Sequence, residues 1–418
     1  MDNKTYLNLQ YFVLCIFAGV LPFSTPSLAY FNYTPALLAV LFISWLAEGN
    51  FRKKFHRIKT NQCLLPCVLC IGLYVLYLVG MLYTSNFDFG KTDLFLKLPL
   101  LLFPLIIFSW NADYFTRKRM LTVLRLFVLG NIVAVVLSLA HSSFLYMKAP
   151  GFYHFHYTNA SWFHHPSYAS MYYCFSFAVI AYLMFTQKLK RYEKTIGYIG
   201  IVLFLSEIIL LDSRAGILTF CSIIFTCGIY IIIKYKINIK TLIFIVFLGI
   251  AIVGIYALRP HDANRMQITI AELDKESFSV SNPEKANVRI LIWNAAVKVA
   301  MKNLPLGVGT GDVKDELKKQ YKTNRYTIPY EENYNAHNQY LQIFATLGVA
   351  GLLSFLFILI LPFRVGAKKK NILFLAFGMI ICINFLVESM LEKQAGVMFF
   401  CFFFPLLYYI SQQTIKQE

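Results

Sequence analysis

Apolar stretches long enough to cross a bilayer, which takes roughly 20 residues, recur along the chain with polar breaks between them. They fall near residues 8–23, 33–48, 62–83, 94–109, 120–140 and 167–186, and again near 195–211, 214–233, 239–258, 338–362, 371–387 and 394–410. This pattern predicts an all-α, polytopic integral membrane protein with about 12 transmembrane helices. The first run lacks both a basic leader and a small-residue cleavage site, so it reads as a retained helix.

The polar breaks are of two kinds. Arg52, Lys53, Lys54, Arg57 and Lys59 follow the second run, Arg117, Lys118 and Arg119 the fourth, and Lys188, Lys190, Arg191 and Lys194 the sixth. Lys234, Lys236 and Lys240 follow the eighth, and Arg364, Lys368, Lys369 and Lys370 the tenth. Excess Lys and Arg marks cytoplasmic loops, so every second break is expected inside, with both termini cytoplasmic. Two of the alternate, outward breaks are long. One, near 141–166, is packed with Tyr, Phe, His and Trp; the other, 259–337, carries most of the Asp, Glu and Asn. The chain then divides into N-terminal spans with the first outer loop (1–166), central spans (167–258), a large periplasmic loop (259–337) and C-terminal spans (338–418). Inside the large loop, Ile290, Leu291, Trp293, Ala296, Val297, Val299 and Ala300 recur at helical spacing, predicting an amphipathic helix over 288–301 that lies on the membrane surface or covers a cavity.

Composition removes other classes. Only 14% of residues are charged, against about a quarter in soluble domains, which leaves no room for a separate soluble domain. The net charge of +18 would suit a nucleic-acid partner, but the basic residues sit in short clusters between apolar runs, where topology accounts for them. Six of the nine cysteines lie inside apolar runs; Cys63, Cys67 and Cys70 share one helix face and read as packing residues, not metal ligands.

Four clusters carry possible chemistry, all on the expected outer side, where ionisable groups at the membrane edge are costly unless they pair or work. Asp212-Ser213-Arg214-Ala215-Gly216 is a turn so short that Arg214 sits at the membrane edge, suited to hold a phosphate or to pair with Asp212. Arg289 is the cation on the first turns of the amphipathic segment, facing lipid head groups or an enclosed cavity. Pro305-Leu306-Gly307-Val308-Gly309-Thr310-Gly311-Asp312 has alternating glycines whose amides can cradle an anion or form a structural turn. Asn335-Ala336-His337-Asn338-Gln339-Tyr340 places a histidine where the loop re-enters the membrane, able to take a proton from a hydroxyl, with Asn338 capping the next helix or binding sugar. The aromatic loop adds His154, His156, His164 and His165. With no Cys, Asp or Glu among them they do not compose a zinc site, and His164 and His165 read instead as lining a sugar-binding cleft.

The chain resembles the O-antigen ligase and polymerase superfamily of bacterial membrane glycosyltransferases. The resemblance rests on Ser213-Arg214, on Arg289 with Trp293 four residues later, on Pro305 to Gly311, and on His337-Asn338-Gln339-Tyr340-Leu341 before a span with Gly348 and Gly351. It covers roughly residues 160–410. It implies a C-type glycosyltransferase fold, without cofactor or metal, that moves a glycan from a polyprenyl (undecaprenyl) diphosphate donor to an acceptor at the periplasmic face of the bacterial inner membrane. It further implies that Arg214 and Arg289 hold the donor diphosphate and that His337 activates the acceptor. Trp293, Gly307, Gly309, Asn338, His164 and His165 are expected around the substrates, with Glu388 and Glu392 as reserve bases. The expected acceptor is lipid A–core, as in an O-antigen ligase of lipopolysaccharide biosynthesis. A growing glycan (a repeat-unit polymerase) or a protein hydroxyl are the alternatives. A lipid-linked sugar transporter is the rival of another class; it predicts inverted repeats and mid-membrane charges, and neither is evident.

Overall fold

The apolar runs fold as helices whose ends fall where the sequence supplies a break. The computed structural model describes residues 3–24, 32–235 and 287–413. Among the described residues there are sixteen α-helices and no strand. They are α1 (Asn3–Val20), α2 (Thr34–Glu48), α3 (Phe51–Thr60), α4 (Leu64–Gly80), α5 (Phe87–Lys97), α6 (Pro99–Phe108), α7 (Arg117–Lys148) and α8 (Pro166–Thr186). The second half adds α9 (Arg191–Leu210), α10 (Arg214–Tyr235), α11 (Val288–Lys302), α12 (Val313–Thr323), α13 (Thr327–Glu331), α14 (Gln339–Lys368), α15 (Ile372–Val387) and α16 (Gln394–Gln412).

Six described helices are long and apolar enough to cross a membrane, or up to seven if the bent pair α2–α3 counts as one span. Two shorter apolar helices, α15 and the start of α10, pack among them. The expected ninth span, near 239–258, and the first part of the large outer loop lie outside the described residues. The fourth expected span is broken: helix α5 ends at Lys97 and α6 restarts at Pro99, whose ring lacks an N–H to continue the ladder. The basic segment 51–59 is helical, not a loop. Gly49 and Asn50 take positive φ (65° and 54°) and turn α3 by 107° from α2. The buried Glu48 holds that corner, with Lys54 at 3.1 Å and Gln10 of α1 donating at 3.0 Å.

The described residues of two segments expected as outer loops are also largely helical. Helix α7 has 32 residues, about 48 Å at 1.5 Å per residue, so it overruns a hydrocarbon core of roughly 30 Å and takes in 141–148. The predicted amphipathic helix is present as α11. Its Leu291, Ile292, Ala295, Ala296, Val299 and Ala300 form a second small core with Val313 and Leu317 of α12, Tyr321, Tyr326 and Ala345 of α14. Full burial of each large aliphatic side chain is worth about 1.5–3 kcal/mol, enough to hold α11 and α12 against the end of α14. The main core lies between α4, α6, α7, α8, α15 and α16, where Phe127, Phe175, Phe399 and Phe403 interlock in tilted and edge-to-face pairs at 4.6–6.2 Å.

The bundle has two chemically distinct ends. At one, Asn61 after α3 donates to Phe108 O and Trp110 O, Arg117 donates to Tyr182 at the foot of α8, and Asn371 donates to Ser411 at the end of α16. This end gathers the basic breaks after the second, fourth, sixth and tenth runs. At the other, His164 meets Leu21, Tyr172 meets Ala395, and Asp312 meets Ser85. All four chemistry-bearing clusters lie at this second end.

Candidate active site

The site is assembled from helix beginnings. Asn338 caps α14 by accepting from Leu341 N (3.1 Å), which spares the first turn an unsatisfied donor. The residue before it, His337, is thereby held at φ 41°, with its amide donating to Asn335 Oδ1 at 2.9 Å. The side chain of His337 points to the residue that caps the far end of α15: Nδ1 lies 3.0 Å from Glu388 Oε2. The segment 388–392 is fixed to the start of α14 from its own side. Asn338 N donates to Ser389 Oγ (3.2 Å), Leu391 N to Gln339 Oε1 (2.6 Å), and Ser389 N to Glu388 Oε1 (3.1 Å).

Helix α11 brings the cation. Asn287 caps it by accepting from Arg289 N at 2.9 Å. Trp293, one turn on from Arg289, donates from Nε1 to His337 O at 3.5 Å. Arg289 is exposed and free to reach a ligand from the face that Trp293 sets against His337.

His165 closes the other side. It caps α8, accepting from Ser167 N at 3.4 Å, and lies within electrostatic reach of Glu388, His337, Arg289 and Lys393. Burial pushes its imidazole below the ordinary 6.5, and Glu388 partly offsets that. Glu388 itself is held below the ordinary carboxylate value of 4.5. Burial is the largest single influence and acts upward; it is outweighed by the hydrogen bond and charge of His337, the Ser389 amide and His165 together.

Arg214 begins α10 beside the start of α8. Ser170 Oγ donates to Ser213 Oγ at 3.2 Å, and a Cβ on Gly216 would sit 2.5 Å from Ser170 Cβ, so these two helix starts touch. Arg214 is exposed at that edge, and Asp212, one residue before Ser213, has its carboxylate 3.7 Å from His156.

The structure therefore brings together Arg289, Trp293, His337, Glu388 and His165, and sets Arg214 on the neighbouring helix start. It separates the others. His164 is buried, donating from Nε2–H to Leu21 O (3.4 Å) and packed on Tyr172; burial lowers its pKa to about 4, a structural position and not a cleft wall. Asn338 is spent as a cap. Gly307 and Gly309 lie past the far end of α11, about 20 Å along its axis from Arg289. Their amides do not form the expected anion cradle. Gly307 N donates to Asn303 O, Val308 N to Ala345 O, Gly309 N to Thr346 O and Gly311 N to Thr84 Oγ1. Gly307 (φ 77°) is wedged against Gly348 (φ 61°), and this contact docks the loop on a break in α14. Each of the four histidines of the aromatic loop has its own neighbour, and among the described residues no group of three His, Cys, Asp or Glu is placed to hold a metal.

Sequence reasoning missed Lys393, one of the cations around His165, and the buried Lys97 with Asp93. The signal was present for the Lys97–Asp93 pair: a lysine and an aspartate four residues apart at the start of an apolar run.

The candidate site of this many-helix protein thus combines a histidine–glutamate pair with exposed arginines. Residues 199–356 match the family model described as O-antigen ligase, and this match supports a likeness to the O-antigen ligase-like superfamily. No curated protein matches the chain. The matched stretch contains Arg214, Arg289, Trp293 and His337, whereas His165 and Glu388 fall outside it.

Proposed function

We propose that the chain is a glycosyltransferase that moves a glycan from a polyprenyl diphosphate to an acceptor hydroxyl at the end of the bundle carrying His337. The observation that carries this reading is the His337–Glu388 pair at 3.0 Å beside Arg289, inside a chain whose matched region is O-antigen ligase-like. With Nδ1–H donating to Glu388, the lone pair of the imidazole is left on Nε2, free to accept a proton. The carboxylate orients the ring and stabilises the imidazolium, as the third member of a catalytic triad does.

In the reaction, the acceptor oxygen forms its bond to the anomeric carbon as its proton passes to His337 Nε2. The bond between that carbon and the diphosphate oxygen breaks from the opposite face, which inverts the centre. Negative charge then collects on the leaving diphosphate, where Arg289 and Arg214 neutralise it through planar, two-pronged contacts. No step requires a metal. The polyprenyl tail lies along the apolar helices, and Trp293 and His165 flank the sugars. The finer reading is an O-antigen ligase acting on lipid A–core at the periplasmic face of the inner membrane, with about 12 spans and both termini cytoplasmic. The segment 259–337, which carries Arg289 and His337, supports a ligase over a repeat-unit polymerase.

The test pairs donor affinity with transfer rate on purified variants. His337→Ala is expected to slow turnover by about 10²–10⁴-fold with donor binding nearly intact. Arg214→Lys and Arg289→Lys keep the charge but lose the fork, so both binding and turnover should fall. His337→Ala at the parent rate refutes the base assignment, and normal donor binding by both arginine variants refutes the diphosphate site.

A further inference from the structure

Two carboxylates leave the short segment between α15 and α16 in different directions. Glu388 meets His337. Glu392, four residues on, meets Lys97 at the end of α5, with Nζ 3.1 Å from Oε1. Lys97 also contacts Asp93, one turn earlier on α5, and its ammonium lies 4.8 Å from the centre of the Tyr77 ring. The lysine side chain is 0% exposed, that of Asp93 5% and that of Glu392 10%. The proposed reaction uses none of the three.

Such a cluster is poorly explained as a source of stability. Buried ion pairs repay little more than their desolvation, and apolar replacements of the same volume are often neutral or better. What a buried pair does supply is a fixed geometry, since a displaced partner leaves a bare charge in a low-dielectric interior. Here the geometry fixed is that of the segment carrying Glu388. One side of the segment is held by Asn338 and Gln339, as described above; the side towards α5 is held by Lys97. Tyr168, in the first turn of α8, lies within electrostatic reach of both Glu388 and Glu392, so the two carboxylates share one neighbourhood.

We propose that Lys97, Asp93 and Glu392 are positioning residues: they clamp the 388–392 segment so that Glu388 faces His337. The proposal rests on the reading of His337 as the base. A misplacement of about 1 Å can cost about 10²-fold in rate, which sets the scale of the expected effect. It also predicts a route: the clamp acts on turnover only through Glu388.

The decisive variant is Glu392→Gln. It leaves Lys97 balanced by Asp93, one charge each, so the protein should insert and fold. Transfer is measured on the full-length protein in detergent, with a polyprenyl-diphosphate-linked glycan as donor and lipid A–core as acceptor. The expected result is a fall in kcat of about 10–100-fold with donor KM changed less than twofold. In a Glu388→Gln background, Glu392→Gln should cost nothing further, since a residue acting only through Glu388 has no target left. Parent kcat in Glu392→Gln, or losses that multiply in the double variant, overturns the clamp while leaving the base assignment standing. His337→Ala at the parent rate overturns the underlying reading instead, and a parent protein inert with this donor and acceptor overturns both. If Glu392→Gln does not insert, the charge-free Lys97→Met/Asp93→Asn/Glu392→Gln protein is read by the same criteria.

Discussion

Replacing Gly348 by alanine tests the way the glycine loop and α14 hold each other. Gly348 has φ 61° and ψ −150° inside α14, a region that costs other residues about 1–3 kcal/mol. The added Cβ would stand 1.9 Å from Pro305 O and 2.6 Å from Pro305 C, and neither is a flexible side chain that can swing away. Relief requires the loop to withdraw. Withdrawal breaks Val349 N to Pro305 O (3.0 Å), Val308 N to Ala345 O (2.9 Å) and Gly309 N to Thr346 O (3.0 Å), each worth about 0.5–1.5 kcal/mol net. Strain and lost hydrogen bonds together give a destabilisation of about 2.5–7.5 kcal/mol. Gly72 provides the contrast: nothing lies within 4 Å of a Cβ there, and in the interior of α4 alanine gains up to about 1 kcal/mol over glycine. Reversible unfolding in mixed detergent, followed by tryptophan fluorescence, compares the two variants side by side. A Gly348→Ala protein as stable as Gly72→Ala refutes the interlock.

His164→Phe should remove an acid-labile element. The buried imidazole titrates at about 4 against an ordinary 6.5, so the unfolded chain takes the proton first and stability falls as pH drops through that interval, by about 3 kcal/mol; midpoints measured at pH 7 and pH 4 should converge in the variant, and an unchanged difference sinks the argument. Glu388 contributes with the same sign, its lowered pKa giving stability that is present above 4.5 and lost as pH falls through the lowered value. Transfer in detergent should persist with excess chelator, and complete loss restored by magnesium would refute the metal-free mechanism. Single cysteines at 190 and 320 in a cysteine-free background should be labelled from outside at 320 only; the reverse pattern overturns the orientation.

The features legible in the sequence were those carried by one element at a time. The apolar runs near 120–140, 167–186 and 338–362 fold as parts of helices α7, α8 and α14 because each span must satisfy its own backbone. The amphipathic spacing after Asn287 found α11 to within a residue or two. What was not legible depends on where separate elements meet. Arg52 to Lys59 reads as a basic loop until Glu48, a residue of the preceding run, captures Lys54 and turns the segment into a helix. Gly307 and Gly309 read as an anion cradle until Asn303 takes up the amide of the first and Thr346 on α14 that of the second. His164 and His165 are adjacent and look equivalent, yet one faces Leu21 and Tyr172 and the other faces Glu388 and Arg289. Glu388 and Glu392 could not be ranked from spacing alone, because only the fold shows which meets His337 and which meets Lys97.

The distribution of charge fits a reaction with a substrate of two natures. A polyprenyl diphosphate has a tail that favours hydrocarbon and a head whose charge grows as the glycosyl bond breaks. An enzyme for it needs fixed cations where hydrocarbon gives way to water, because charge is stabilised there without being carried through the bilayer. Arg214 and Arg289 are both exposed at the starts of helices, at the same end of the bundle as His337. A helix start adds the partial positive charge of its unpaired amides to that of the arginine. The proposed base, by contrast, is half-buried and held by a carboxylate only 13% exposed, where water competes less for its proton. In the proposed reaction, exposed cations for the leaving group and a sheltered, oriented base for the nucleophile divide the work between the two sides of the same anomeric carbon. Because the arginines sit on α10 and α11 while Glu388 follows α15, the two halves should be separable by mutation. Substitution at Glu388 is expected to alter turnover and its pH dependence, and substitution at either arginine to alter donor affinity as well. An enzyme in which Glu388→Gln weakens donor binding as much as Arg289→Lys does would not be built on this division.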